Sequence, residues 1–134
     1  MPQSLDFDAS HHYAGADGID VPIEIRVGAR NVQLLARLDT GAAYCIFERR
    51  YAEALRMDVE SGRVRRFMTM AGSFVAYEHE VTLCTFDIEF SAVVYFAHDR
   101  TFGKSFVGRN GWLDRLRIGI IDYDRLLFLS AYDS

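Results

Sequence analysis

Short stretches in which apolar and polar residues alternate dominate the chain. In VPIEIRV (residues 21–27), every second side chain is apolar, which predicts a half-buried β-strand. The turn residues GARN follow, and VQLLARL (32–38) continues as a second strand, so that the two predict a β-hairpin. Because Pro22 has no amide hydrogen to donate, it favours an edge position for the first strand.

The same pattern extends to the end of the chain. Further strands are predicted at 44–47, 63–70, 74–83, 84–90, 92–97, 118–123 and 125–129, and short helices at 48–57 and 109–117. Short strands with frequent turns and few helices predict an all-β domain. Residues 1–18 are polar and contain glycine, which predicts a partly disordered lead-in before one domain at 19–134.

Composition narrows the class of protein. Of the 134 residues, 50% are hydrophobic and 25% are charged, which is typical of one globular domain with a sizeable core. The net charge of -4 provides no general attraction to nucleic acid or anionic membranes, and no apolar run approaches the ~20 residues that span a bilayer. The N-terminus lacks the basic and apolar segments of a signal peptide, so we expect a cytoplasmic location, with Cys45 and Cys84 as free thiols.

One carboxylate, Asp39, lies where the pattern predicts the end of a buried strand. It belongs to LDTGA (38–42), and a later segment, FVGRNGWLDRL (106–116), combines two apolar residues, a glycine, Arg, Asn and a short helical pattern. These two motifs, with a glycine-containing hairpin between them, resemble those of the aspartic proteases. The alanine after the glycine and the short chain point to the retropepsins, the single-lobed retroviral-type branch, and their stand-alone bacterial and cellular relatives. The resemblance covers roughly residues 20–130.

The resemblance implies a closed or partly open β-barrel with aspartic endopeptidase activity. Two close carboxylates share one proton, so that together they can take a proton from water and give one to the scissile carbonyl. The chain has one Asp-Thr-Gly and is too short for two lobes, so the partner of Asp39 must be Asp39 of a second copy. The implied enzyme is a C2 homodimer that cleaves a polypeptide substrate without metal or organic cofactor. The apolar segment 125–129 is a candidate part of its interface.

Three residues after the carboxylate are expected to support it. Gly41 allows the backbone to approach closely, so that its amide can donate to Asp39. The resemblance implies that the Thr40 hydroxyl bonds across the two loops of the dimer. Ala42 has no hydroxyl to donate, and a hydrogen bond to a carboxylate stabilises its charged form. Ala42 therefore predicts activity that reaches mildly acidic or near-neutral pH.

Two further groups of residues follow from the resemblance. The hairpin between the motifs corresponds to the family's flap, which closes over an extended peptide and excludes water, although an ordinary surface hairpin has the same pattern. Its expected tip consists of Ala71, Gly72 and Ser73. In the second motif, three residues are expected to brace the fold and the dimer: Gly108, Arg109 and Asn110.

Other residues that often carry chemistry have simpler interpretations. His79 and His98 lack Cys or acidic partners at ligand spacing, so no metal site is expected. Cys45 has no His close in sequence, which favours a packed core thiol over a nucleophile. The basic RVRR (63–66) is more typical of a solvated face than of a nucleic-acid site in an acidic domain.

The alternative to an endopeptidase is a catalytically silent, dimeric peptide-binding or interaction module on the same fold. Such a module would bind a peptide under the hairpin or would only dimerise. The intact Asp-Thr-Gly favours catalysis, because a module without catalytic demand need not keep two carboxylates at a costly short distance.

Overall fold

The computed structural model describes residues 1–134 and consists mainly of short β-strands. The strands, in chain order, are Ala9–His12 (β1), Asp20–Val27 (β2), Arg30–Leu38 (β3), Ile46–Phe47 (β4), Arg63–Thr69 (β5), Gly72–Thr85 (β6), Ile88–Ala97 (β7), Phe106–Val107 (β8), Leu116–Ile121 (β9) and Leu126–Ala131 (β10). The helical segments are Arg49–Ala54 (α1) and the 3-10 turns Val59–Ser61, Leu113–Arg115 and Asp122–Asp124. The predicted all-β class is confirmed. None of the helical segments has the length and apolar character needed to cross a membrane.

Six strands close into a barrel in the order β2-β3-β8-β4-β7-β6, with β6 returning to β2. The closing register runs from Glu24 opposite Cys84 to Arg26 opposite Thr82. This part of β2 is paired on both sides, so the edge position predicted for the strand is wrong there. Pro22 itself lies outside the β6 pairing and is exposed, which agrees with its missing donor.

A cluster of 21 buried residues fills the barrel. Val21, Ile23 and Ile25 alternate along β2 and are buried, as the hydrophobic pattern predicts. Trp112, from the second motif, is fully buried against the same cluster. Each such side chain stabilises the fold by about 1.5–3 kcal/mol relative to exposure, so the core stabilises the barrel that carries the loops at its rim.

β5 pairs with β6 and extends the barrel sheet as a hairpin, and the other three strands form a second sheet in the order β1-β10-β9. β1 pairs with β10 along its whole length, so the lead-in over residues 1–18, predicted to be partly disordered, contains an ordered strand at residues 9–12. The physical reason is that β10 would otherwise expose a row of unpaired backbone groups. Because β10 lies between two strands, the segment 125–129 has no free edge, and a second copy could contact only its faces.

The strand predicted at 84–90 contains the turn of the β6–β7 hairpin instead. Phe86 and Asp87 have φ values of 50 and 65, the left-handed conformation of a tight two-residue turn. Residues other than glycine rarely adopt this conformation, so the sequence pattern does not reveal the turn. The Phe86 ring packs on the core and lies 5.2 Å from the ring of His11, and this burial offsets the backbone strain.

The helix predicted at 109–117 is reduced to one 3-10 turn, Leu113–Arg115. Gly111 has a φ of 102, and its amide donates to the carboxylate of Asp114 at 3.0 Å. This left-handed glycine interrupts the helical conformation before a full turn forms.

The helix predicted at 48–57 is confirmed over Arg49–Ala54. It places Ala52 and Leu55 in the core and ends where Arg56 adopts a φ of 54. The helix is shorter than predicted because a left-handed residue ends it, even though the sequence there contains good helix-forming residues.

Candidate active site

The motif expected to carry the chemistry lies at the end of β3. The amide of Leu38 donates to Ile19 O at 2.8 Å, and the amide of Asp39 donates to Val107 O at 3.0 Å. Neighbouring segments on two sides therefore fix the backbone that presents the carboxylate. Asp39 is half-buried and lines a cleft.

The residues after Asp39 turn back toward its carboxylate. The Gly41 amide donates to Asp39 Oδ1 at 2.9 Å, and the Ala42 amide donates to Asp39 O at 3.2 Å. A Cβ atom on Gly41 would lie 3.3 Å from Asp39 Oδ1, so the glycine allows this close approach. A backbone donor of this kind stabilises the charged form of a carboxylate and fixes its orientation. Gly41 is thus placed to support Asp39 as the sequence suggested.

Thr40 lies on the exposed side of the same turn. It borders a shallow cavity of about 540 Å³ together with Arg109 and Leu113. The hydrogen bond expected of its hydroxyl joins two copies of the loop, so within one chain that role stays a prediction.

The second motif supports the Asp39 loop from behind. The amides of Arg109 and Asn110 donate to Ala42 O and Ala43 O, both at 2.9 Å, and Asn110 Nδ2 adds a bond to Ala43 O at 2.7 Å. The Arg109 side chain is exposed, so in one chain this residue braces the loop through its backbone. Bracing of a dimer by these residues stays a prediction.

Gly108 lies at the closest approach of the two motifs. A Cβ atom at this position would lie 2.6 Å from Ala42 O and 2.6 Å from Tyr44 O. Such distances are far inside normal contact, and both atoms belong to the backbone. Only glycine fits without moving the Asp39 loop.

Cys45 connects the same two segments from the core. Its Sγ accepts from the Gly108 amide at 3.5 Å and donates to Asn110 O at 3.6 Å. Burial raises the pKa of the Cys45 thiol to about 12, so the group stays protonated near neutral pH. This agrees with a packed core thiol and not with a nucleophile. Cys84 is also a free thiol.

His79 and His98 have structural partners. His79 Nε2 lies 2.7 Å from Val59 O, and His98 Nδ1 lies 2.9 Å from Tyr77 Oη. No group of three or more His, Cys, Asp or Glu side chains is arranged to hold a metal ion.

The cleft beside Asp39 has a volume of about 960 Å³. It opens between the Asp39 loop and the β5–β6 hairpin, and the loop 101–104 forms a third side. The hairpin therefore borders the same cleft as Asp39, and its role as a flap stays a prediction.

The tip of the hairpin differs by one residue from the predicted position. Thr69 pairs with Gly72, so Met70 and Ala71 form the turn, and Gly72 and Ser73 begin β6. The Thr69 hydroxyl donates to Gly72 O at 2.9 Å and closes the turn. The prediction placed the tip one residue too late because it centred the turn on Gly72. The φ of 132 at this glycine is needed just after the turn and not at its centre.

Aromatic rings that the sequence analysis did not single out form one wall of the cleft. Phe67 and Phe74 are paired across the hairpin and stack with their centroids 5.2 Å apart. Phe74 lies 4.7 Å from Phe102, and Tyr44 meets Phe67 and Tyr95 edge-on at 6.0 and 5.3 Å. The sequence did contain a signal for the Phe67–Phe74 pair, because residues at equal distances from a tight turn lie opposite each other in a hairpin.

Arg65 completes this wall and was also missed. Its guanidinium carbon lies 4.4 Å from the centroid of Tyr44 and 5.6 Å from that of Phe67. Nη1 donates to Tyr95 Oη at 3.4 Å, and that hydroxyl donates to Glu78 at 3.1 Å. The interpretation of the RVRR segment as a solvated face is incomplete, because Arg65 borders the cleft.

Comparison with known proteins places this geometry in a fold family. The chain matches no protein-family model, and the search of curated proteins finds no match either. Among solved structures, a retropepsin-like aspartic protease from Rickettsia conorii is similar with a TM-score of 0.67 and 20% identity, over 91% of this chain and 97% of that one. The chain has the retropepsin-like fold.

A second structure supports the same conclusion. The EIAV protease complexed with the inhibitor HBY-793 is similar with a TM-score of 0.56 and 17% identity. The similarity covers 72% of this chain and 86% of that one. The retropepsin-like fold predicted from the two motifs is thus confirmed, while at these identities the likeness concerns the fold alone.

Proposed function

We propose that the chain is an aspartic endopeptidase that works as a homodimer. The observation that carries the proposal is the placement of Asp39. Its carboxylate accepts from the Gly41 amide at 2.9 Å and lines the cleft under the β5–β6 hairpin. A carboxylate held by a backbone donor beside a cleft of this size, within the retropepsin-like fold, supports the proposal.

The proposed reaction needs two such carboxylates. One chain carries one Asp-Thr-Gly, so a second copy supplies the other across a twofold axis. The pair holds one proton between its two carboxylates. It takes a second proton from the attacking water and donates a proton to the scissile carbonyl or the leaving amine. Peptide hydrolysis by this route uses no covalent intermediate, metal or organic cofactor. Thr40 would lock the two loops, and Ala42 would border the water.

The experiment compares the parent protein with Asp39→Asn and with the control Asp133→Asn. Both substitutions remove one carboxylate, but Asp133 is exposed near the C-terminus and far from the motif in sequence. Each protein is incubated with a diverse peptide library from about pH 4 to about pH 7, and products are identified by mass spectrometry. Sedimentation at the assay concentration measures the fraction of dimer.

We expect cleavage by the parent and the control, and a loss of at least about 100-fold in Asp39→Asn. Cleavage that survives in Asp39→Asn would refute the mechanism. A parent that is dimeric and binds peptides without cleaving them would favour the silent binding module. A parent that cleaves as a monomer would refute the shared pair.

A cytoplasmic location stays a prediction from the sequence.

A further inference from the structure

The cleft carries positive charge although the chain as a whole is acidic. The chain has a net charge of -4, yet the cleft is bordered by Arg65, Arg66 and Lys104, with Asp39 as its one carboxylate. A groove lined by one sign of charge concentrates ligands of the opposite sign. The distribution of charge therefore bears on which peptides enter.

Arg65 is the best placed of these cations. Its guanidinium carbon lies over the Tyr44 ring, 4.4 Å from the centroid, and Tyr44 is only five residues beyond Asp39 in the loop that the second motif braces. Stacking on an aromatic face holds the plane of the group and leaves the N–H donors at its edges free to bind. Nη1 uses one donor on Tyr95 Oη, and Glu78 lies beyond that hydroxyl.

Most of the other arginines that lie near acidic groups form ion pairs with them, which offset the arginine's charge. Direct ion pairs to Asp or Glu are formed by Arg26, Arg37, Arg49, Arg50, Arg100 and Arg115. Arg65 instead reaches its acidic neighbour only through a phenol hydroxyl, and it retains several unused donors. It is therefore a charged, oriented and incompletely paired group at the cleft.

The two remaining cations differ in orientation. Lys104 lies exposed in the loop that forms the third side of the cleft. Arg66 follows Arg65 in β5, so strand alternation directs its side chain to the opposite face of the hairpin, where it donates to Ser73 Oγ at 3.2 Å. Arg65 and Lys104 are thus the pair that a bound peptide would meet.

We propose that the cleft selects peptides in which an acidic side chain, Asp or Glu, lies among apolar residues next to the cleavage site. The acidic side chain would bind Arg65 through paired N–H donors, with Lys104 adding attraction, while the apolar residues pack on Phe67, Phe74 and Phe102. Arg65 is then a specificity-determining residue. The proposal rests on the proposed function for its cleavage step, but the binding preference is separable from it.

The test uses two matched pools of short peptides, one with Glu among apolar residues and one with Gln at the same positions. Binding to Asp39→Asn is measured by fluorescence anisotropy at about pH 6, where Glu is charged, and kcat/KM is measured with the parent. The variants are Arg65→Gln, Arg65→Lys, Lys104→Gln and the control Arg63→Gln. Arg63 has the same charge and lies on the same face of β5, but outside the cleft.

We expect the Glu pool to bind about tenfold or more tightly than the Gln pool at low salt, because a hydrogen bond between charged groups contributes at least this factor to affinity. The preference should shrink at high salt and fade near pH 4 as Glu becomes neutral. Arg65→Gln should abolish most of it, Arg65→Lys should keep part, and Arg63→Gln should leave it intact. If Arg65→Gln does not fold by circular dichroism, Arg65→Lys and Lys104→Gln carry the test, each with a reduced preference.

The outcomes separate the two proposals. Equal binding and cleavage of both pools would overturn the acidic preference while leaving the endopeptidase intact. A Glu preference in binding with no cleavage by the parent would support the inference and sink the proposed function. A Glu preference that Arg65→Lys and Lys104→Gln leave unchanged would overturn the assignment to this cleft.

Discussion

The substitution Gly108→Ala tests how the two motifs hold the candidate active site together. The added Cβ would lie 2.6 Å from Ala42 O and 2.6 Å from Tyr44 O. To reach an ordinary contact distance of ~3.5 Å, the loop must retreat by about 0.9 Å. That movement strains the bonds from the Arg109 and Asn110 amides, both now 2.9 Å long.

The expected loss of stability follows from these two effects. Overpacking costs about 1–3 kcal/mol, and weakening two backbone hydrogen bonds adds about 1 kcal/mol, for a total of about 2–4 kcal/mol. For a chain of 134 residues, each kcal/mol lowers the Tm by about 3.6 °C. Gly108→Ala should therefore melt about 7–14 °C below the parent.

The assay is thermal unfolding followed by circular dichroism, with Gly103→Ala as the matched control. A Cβ on Gly103 would have its nearest neighbour, Thr101 O, at 3.8 Å, so this change should alter the Tm by no more than about 3 °C. If Gly108→Ala melts within that same range, the close approach does not constrain the fold and the reasoning is wrong. If the chain is the proposed protease, a shift of this size in the loop should also lower kcat/KM by about 100-fold.

Three further predictions concern pH and thiol chemistry. Burial and a hydrogen bond to Asp122 raise the pKa of Tyr13 to about 12. Because the unfolded chain loses this proton at lower pH, the free energy of unfolding should be at its full value below about pH 10 and fall as pH rises to about 12. Tyr13→Phe should remove that fall in urea titrations. Ala42→Ser should move the acid limb of the pH–rate profile to lower pH by adding a donor to the carboxylates of the proposed active site, and an unmoved limb would contradict this explanation. Cys45 should react with a thiol reagent at about pH 8 only after unfolding, whereas half-buried Cys84 should react slowly in the folded protein; rapid labelling of Cys45 would show that its site opens.

Local sequence chemistry determined the barrel strands and the centre of the site. The alternation in 21–27 and 32–38 defines a buried face, which is a property of neighbouring residues and needs no distant contact. Asp39 and Gly41 could be predicted as candidate site residues from the resemblance of their motif, in which the proposed chemistry needs a carboxylate for proton transfer and the turn needs a glycine for close approach of the backbone. Gly108 followed from its motif for the same reason.

Long-range contacts decided the rest. β1 forms only because β10 offers it an edge, and the left-handed turn at Phe86 and Asp87 is stable because the Phe86 ring is buried against the core. The helix predicted at 109–117 is an exception, because a left-handed glycine and a side-chain bond three residues away, both local features, interrupt it. In the first two cases the deciding interaction joins residues that local propensity treats as independent.

The cleft itself is the clearest case of tertiary control. Tyr44, Phe102 and the β5 face that carries Arg65 and Phe67 come from separate segments, and no local pattern in the chain indicates that these three segments share a wall. The sequence alone determined that one carboxylate stands beside a glycine in a β-rich chain. Only the folded barrel determined that an arginine and a row of aromatic rings border the same cleft as that carboxylate, because the positions of side chains on different strands depend on barrel closure and hairpin register.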